Sequence, residues 1–272
     1  MKRNKRSPSG DALSPPAHEP LPEGVELLYG LHTVAEALRN PRRRIQALLI
    51  TANAARRLAP EIEALRASGI EPEIVHPSRI EKITGPEAVH QGVALLAEPL
   101  PRPFLHEIAR EGTVVLLDQV TDPHNVGAIL RSSCAFGVHA VITTARHAPR
   151  LTPVLAKAAS GALEHVALVQ VTNLARAMDE LKDYGFTIYG LDSEAEGVLD
   201  CSLPVSGAVA LVLGAEGKGL RHKTRAHCDA LLRLDAPGPI RSLNVSNAAA
   251  IALFALDQAR RNRASPSSAG TA

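Results

Sequence analysis

Tryptophan is absent from this 272-residue chain, and only three tyrosines and four phenylalanines are present. Proteins that hold single strands by stacking bases on aromatic platforms need far more such rings, so that mode of nucleic-acid binding is excluded. Cysteine is equally scarce. Cys134, Cys201 and Cys228 are too few and too scattered for a disulfide framework, and no CxxC or HExxH spacing offers a metal site, so no metal is expected and the three thiols read as small core residues. No apolar run approaches the roughly 20 residues needed to span a bilayer. The basic N-terminus leads into Ser, Pro and Asp rather than a hydrophobic signal core, which predicts a cytoplasmic protein with no membrane partner. No GxGxxG follows a strand and no GK[ST] follows a glycine loop, which removes dinucleotide dehydrogenases, conventional methyltransferase loops and NTPases. The formal net charge of +2 is too small to imply a nucleic-acid partner by itself, although Lys2-Arg3-Lys5-Arg6, Arg42-Arg43-Arg44 and Arg260-Arg261-Arg263 form local basic clusters.

Hydrophobic residues make up 45% of the chain, enough for two cores, and the pattern divides accordingly. Residues 1–24 and 263–272 are polar and Pro/Ser-rich and read as a disordered basic arm and a disordered tail. Residues 25–98 read as a small α/β domain. There, Thr33 and Glu36 suggest a capping box, Ile45 to Thr51 a strand and Asn53 to Ala67 one helix ended by Gly69. Pro72 to His76 is a weak strand, Ser78 with Glu81 suggests the cap of a short helix, and Val93 to Ala97 is a strand. Pro99, Pro101 and Pro103 mark a stiff linker over 99–111. Residues 112–262 then alternate strand and helix: strands at 113–117, 140–144, 166–171, 187–191, 208–213 and 230–234, and helices at 123–136, 152–159, 174–184 and 244–261. Such alternation predicts a mostly parallel sheet covered by helices on both faces.

Three segments carry chemistry. In Leu117-Asp118-Gln119-Val120-Thr121-Asp122-Pro123-His124-Asn125 a buried strand empties into an N-capped helix, the place where open α/β sheets bind ligands. Asn125 and Arg131 on that helix are nearly two turns apart and are expected to project toward one pocket. Leu213-Gly214-Ala215-Glu216-Gly217-Lys218-Gly219-Leu220 is a second strand end, whose glycines allow close backbone approach to a ligand and whose one carboxylate is Glu216. In Ile240-Arg241-Ser242-Leu243-Asn244-Val245-Ser246 three residues can cap the following helix, more than capping requires. The alanines at 248, 249, 250 and 252 leave that helix thin enough for close packing.

In this order the three segments resemble the three motifs of the SpoU (TrmH) family of RNA ribose methyltransferases, within the SPOUT superfamily. The resemblance spans about Tyr29 to Arg261. It includes Tyr29-Gly30-Leu31-His32 and His90-Gln91-Gly92-Val93, which are similar to the two ends of the family's small RNA-binding domain. It implies a SPOUT-type parallel sheet with a C-terminal trefoil knot, S-adenosylmethionine as methyl donor, and an obligate homodimer with active sites at the interface. Matched position by position, Gly214, Gly219, Leu234, Ile240 and Leu243 would hold the cofactor. Asn125, Arg131, Glu216, Ser242 and Asn244 would be catalytic.

The implied reaction methylates a ribose 2′-oxygen, so the substrate is RNA and not DNA. Among family members the chain is most similar to those acting on a guanosine in large-subunit ribosomal RNA. A transfer-RNA methyltransferase and a non-catalytic RNA-binding or ribosome-assembly protein stand as alternatives. The family assigns the motif-one arginine, here Arg131, as general base. A guanidinium gives up its proton only above about pH 12, so a fixed positive charge at Arg131, holding phosphate and stabilising the developing oxyanion, is the physically easier role.

Overall fold

The computed structural model describes residues 21–146, 151–239 and 242–264. The expectations for the arm before residue 21, for Ile240 and for the tail after residue 264 lie outside the described residues. The N-terminal unit runs β1 (Glu26–Tyr29), α1 (Leu31–Arg39), β2 (Ile45–Ile50), α2 (Ala52–Arg57), α3 (Ala59–Ala67), β3 (Glu73–Ile74), α4 (Pro77–Thr84) and β4 (Val93–Ala97). Its strands form a four-stranded sheet in the order β1-β4-β2-β3, with β4 antiparallel to both neighbours. After a 3-10 turn at Leu105–Glu107 come β5 (Thr113–Asp118), α5 (Pro123–Ala135), β6 (Ala140–Thr144), α6 (Pro153–Ala159) and a second 3-10 turn at Ala162–Glu164. The chain continues through β7 (Ala167–Val171), α7 (Leu174–Asp183), β8 (Phe186–Leu191), β9 (Gly197–Val198), β10 (Ala208–Gly214), α8 (His222–His227), β11 (Ala230–Arg233) and α9 (Val245–Ala264).

The second sheet has seven strands in the order β7-β6-β5-β10-β8-β11-β9, every pair parallel. Every residue of β5 is buried, as expected for a central strand covered on both faces. Alternate residues feed separate cores: Val115 and Leu117 pack with α5 and α9, whereas Val114 and Leu116 pack with α7. On the first face the helices approach closely. A Cβ on Gly127 of α5 would lie 2.5 Å from Ala158 Cβ, and Ala249 and Ala252 of α9 are fully buried in the same core. Of the four small residues foreseen on α9, Ala249 and Ala252 therefore pack inward in the core shared with α5, whereas Ala248 faces a cavity and Ala250 is only partly buried.

Strand β11 is inserted between β8 and β9, so the intervening chain passes round its end. Asp192 N donates to Leu232 O, Leu199 N to Arg233 O, and Arg233 Nη1 to Ala195 O at 3.0 Å.

The two units meet at a buried ion pair. Arg43 donates through Nη2 to Glu164 Oε1 at 2.6 Å and through Nε to Oε2 at 3.2 Å, and the two side chains are 1% and 2% exposed. Asn40 Nδ2 adds a bond to Glu164 Oε2, and Arg43 Nη1 bonds Glu26 and the carbonyl of Glu98. One residue of the Arg42-Arg43-Arg44 basic cluster is thus the centre of an interior network.

Several local expectations differ from the structure. The Thr33–Glu36 capping box does not form: α1 starts three residues earlier, with Gly30 at its cap, Thr33 donates to Ala156 O, and Glu36 faces Arg39 and His165. The helix expected over 53–67 is two helices broken at Leu58, because Pro60 suits only a first turn. The cap of α4 is His76 rather than Ser78, with Pro77 at the first helical position. Strand β1 was not foreseen; its four residues are too few to show alternation beside a polar arm. Cys201 is exposed, whereas Cys134 and Cys228 are partly buried.

Candidate active site

The site is assembled at the C-terminal ends of β5, β8, β10 and β11. Helix α5 begins as its sequence dictates: Asp122 accepts from His124 N at 3.2 Å and Asn125 N at 3.3 Å, and Pro123 supplies the fixed first φ. Gln119 takes the left-handed region with φ 62°, turning the chain out of β5 toward that cap. Asn125 is thereby presented at the first turn of α5.

The glycine loop after β10 doubles back sharply. A Cβ on Gly214 would stand 2.3 Å from Gly219 C and 2.5 Å from Leu220 N, a space only glycine leaves open, and Gly217 and Gly219 adopt positive φ. Ala215 and Gly219 pair as a single antiparallel bridge, which holds Glu216 at the tip. From the third segment, Asn244 caps α9: its Oδ1 accepts from Ser246 N at 2.9 Å, Ser246 Oγ at 2.6 Å and Asn247 N at 3.4 Å.

Three side chains from the three segments meet. Asn125 Nδ2 donates to Glu216 Oε1 at 3.0 Å, Asn244 Nδ2 donates to the same oxygen at 2.5 Å and to Asn125 Oδ1 at 2.9 Å, and Val245 N reaches Glu216 Oε1 at 3.4 Å. A carboxylate at the start of α9 also complements the positive end of the helix dipole. Behind this triangle lies a cavity of about 200 Å3, walled by the loops after β8, β10 and β11 and by the start of α9.

Of the positions singled out from sequence, Gly214, Gly219, Leu234, Leu243, Glu216 and Ser242 line that cavity. Asn125 and Asn244 adjoin it through Glu216. Ile240 is outside the described residues. Arg131 is not brought to this group: it is exposed, has no hydrogen-bond or ion-pair partner among the described residues, and falls on the outward stripe of α5 with His124 and Ala128. Six residues at about 100° each leave it roughly 120° from Asn125, so the expectation that both project toward one pocket fails for a single chain.

The sequence reading missed the wall contributed by β8. Leu191, Asp192 and Ser193 line the cavity, and the available signal was a polar Asp-Ser pair ending a buried parallel strand. It also passed over Asp118, which is fully buried and accepts from Arg221 Nε at 2.6 Å and Arg221 N at 2.9 Å, tying the end of β5 to the chain leaving the glycine loop. The thiol of Cys228 is pushed up to about 11 by burial, which makes it an inert packing group. Among the described residues no cluster could hold a metal, and no helix is long and apolar enough to cross a membrane.

Comparison with known proteins agrees with this geometry. The SpoU rRNA Methylase family profile matches residues 112–254, and the profile named RNA 2'-O ribose methyltransferase substrate binding matches residues 27–103. The 23S rRNA (guanosine-2'-O-)-methyltransferase RlmB of Photorhabdus laumondii is 39% identical over 247 residues, covering 88% of this chain and 99% of that protein. RlmB of Escherichia coli K12 is 40% identical over 237 residues, covering 84% and 96%. The SpoU methyltransferase AviRb of Streptomyces viridochromogenes, solved in complex with AdoMet, superposes with a TM-score of 0.72 at 25% identity over 89% of this chain and 92% of that one. Three convergent motif segments, a parallel seven-stranded sheet and full-length relatives at this identity together show that the chain belongs to the SpoU rRNA methylase family.

Proposed function

We propose that this protein methylates the 2′-oxygen of a guanosine ribose in 23S ribosomal RNA, using S-adenosylmethionine. The observation that carries the reading is the Asn125–Glu216–Asn244 triangle at the mouth of a cavity walled by strand-end loops. The relatives named for that reaction cover nearly their whole length with this chain, which supports the same substrate here.

The cavity suits the cofactor on its own chemistry. Leu213, Leu234, Leu243, Val245 and Ala248 offer an apolar slot for a purine, while the doubled-back Gly214–Gly219 loop brings backbone donors and acceptors within reach of a ring edge. Asp192, Ser193 and Ser242 supply polar groups for hydroxyls and charged ends. When bound, the cofactor supplies an electrophilic methyl on a sulfonium sulfur. Gly214, Gly219, Leu234, Ile240 and Leu243 are its holding residues. Glu216, fixed by Asn125 and Asn244, and Ser242 orient the ribose at the cavity mouth, which is where most of the rate gain from positioning arises.

Arg131 acts as a fixed positive charge that holds RNA phosphate and stabilises the 2′-oxygen as its proton passes to solvent water. Its place on the outward stripe of α5, without a partner among the described residues, fits a site completed by a second copy of the chain. Ile251 and Phe254, 47% and 52% exposed on α9, with Phe136 edge-on to Phe254, give that homodimer an apolar contact. The insertion of β11 between β8 and β9 supports a trefoil knot over the C-terminal strands. The domain division is a basic arm over 1–24, an RNA-binding domain over 25–98, a linker over 99–111, a catalytic domain over 112–262 and a tail over 263–272, in a cytoplasmic protein.

The test is methyl transfer from labelled S-adenosylmethionine to 23S rRNA transcripts, with the product mapped by ribose-methylation-sensitive primer extension. One methylated guanosine is expected, lost when that nucleotide is 2′-deoxy; label on the base, or none on ribosomal RNA, refutes the reading. Arg131→Lys retaining near-full turnover of bound RNA would refute the fixed-guanidinium role.

A further inference from the structure

Cations crowd one side of the cavity. From Gly217 to His227 the chain contains Lys218, Arg221, Lys223 and Arg225 with His222 and His227, and no Asp or Glu. All four Lys and Arg side chains are exposed. The run starts two residues after Glu216, and Gly217 and Gly219 line the cavity on either side of Lys218. It therefore borders the place where a target nucleotide would enter.

Two of these cations are held from below by acids at strand ends, Asp118 buried and Asp192 partly buried with a little-exposed side chain. Asp118, 0% exposed at the end of β5, takes Arg221 through Nε at 2.6 Å and through its backbone N. Asp192, 7% exposed just after β8, takes Arg225 through Nη1. Neither Nη atom of Arg221 has a hydrogen-bond partner among the described residues, nor do the side chains of Lys218, His222 and Lys223. A solubilising surface charge needs no anchor. A guanidinium already fixed by a buried carboxylate has given up rotamer freedom in advance, so a phosphate binding its outward edge meets less entropic opposition. Two anchored arginines balanced by two acids, with two unpaired lysines between and beside them, leave about two net charges available for counterion release.

We propose that Lys218–Arg225 is a phosphate-gripping rim that tracks the RNA backbone next to the target ribose, with Asp118 and Asp192 as positioning residues that aim Arg221 and Arg225. This rests on the RNA-methyltransferase reading and assigns it a substrate surface on the catalytic unit itself, separate from the small N-terminal unit and the basic arm.

The experiment uses the full chain and its Lys218→Gln/Lys223→Gln double variant, both fold-neutral surface changes. Binding of a 23S rRNA transcript is measured against salt, and S-adenosylmethionine binding is measured by calorimetry as a check on the fold and cavity. The double variant is expected to bind RNA about tenfold more weakly near 0.1 M salt and to flatten the slope of log K against log salt by about 1.5 to 2. Its affinity for S-adenosylmethionine stays at the wild-type value. A wild-type slope in the double variant overturns the rim while leaving the enzyme reading intact. A wild-type protein that binds neither the transcript nor S-adenosylmethionine overturns both. As a second arm, Arg221→Lys, which keeps the charge but loses the Asp118-held fork, is expected to raise the KM for RNA more than it lowers kcat; equal loss in both would remove Asp118 and Arg221 from the rim.

Discussion

Asn125 Nδ2 and Glu216 Oε1 lie 3.0 Å apart across 91 residues of chain, one on the first turn of α5 and the other at the tip of the glycine loop after β10. Asn244 bonds both, so one carboxylate oxygen collects the three segments. Because all three residues are at least partly exposed, what this triangle offers is orientation more than stability.

Glu216→Ala should therefore lower kcat/KM by about 100-fold or more, the scale seen when a positioning or charge-stabilising group is lost from an active site. Thermal unfolding should shift little, since the removed group is solvent-exposed. Steady-state kinetics paired with a melting curve decides it, and a variant within threefold of wild type would sever the triangle from catalysis.

Gly214→Ala places a methyl 2.3 Å from Gly219 C, against backbone that has no flexible end to yield. The loop must open, which should weaken S-adenosylmethionine binding by at least about tenfold and cost about 1–3 kcal/mol through overpacking. Calorimetric titration of the variant reads the first effect directly. Unaltered affinity would show that this cradle does not hold the cofactor.

At the junction of the two units, removing Arg43 strands Glu164 as a buried, uncompensated charge. Arg43→Met is expected to destabilise the protein by about 3–5 kcal/mol, whereas Arg43→Met combined with Glu164→Leu should recover most of that loss. Urea denaturation of the single and double variants gives both values. Equal instability in the two would mean that packing around the pair, and not its charge, is what matters.

Glu36 sits on the same junction, and its hydrogen bond from His165, at 2.8 Å, is the main reason its carboxyl titrates below the ordinary 4.5. A carboxylate with a depressed folded-state pKa adds stability that is complete above its unfolded value and disappears as pH falls through the folded one. The melting-temperature gap between wild type and Glu36→Gln should accordingly close as pH falls below the ordinary carboxyl value of 4.5. A gap that persists under acid would assign it to packing.

Ile251→Glu with Phe254→Glu on α9 introduces two charges into the apolar stripe proposed as the dimer contact. Sedimentation should show a monomer in place of a dimer, with methyl transfer lost and the fold intact by circular dichroism. A dimer that survives the double substitution would move the contact elsewhere.

The parallel sheet and its covering helices were legible because each central strand is buried on both faces and reads as an uninterrupted apolar run: Val114 to Leu117 and Val209 to Leu213 are examples. The cap of α5 was equally legible, since Asp122 and Pro123 act within their own turn. Local chemistry of this kind needs no partner from elsewhere. The Thr33–Glu36 expectation failed for the converse reason: Thr33 bonds Ala156, 123 residues away, and Glu36 bonds His165, contacts that outrank a local cap and belong to another unit.

The sequence by itself determined the three polar loops, their glycines and the order in which they follow buried strands, because those depend on neighbours a few residues apart. Only the tertiary structure decided that Asn125, Glu216 and Asn244 touch and that Asp192 and Ser193 close the cavity. It alone turned Arg131 away on the outer stripe of α5 and made Arg43 an interior residue. Strand order is the physical reason. Placing β10 beside β5 and β11 between β8 and β9 brings together chain ends separated by tens of residues, and that arrangement is set by how two faces of a sheet are buried rather than by any local pattern.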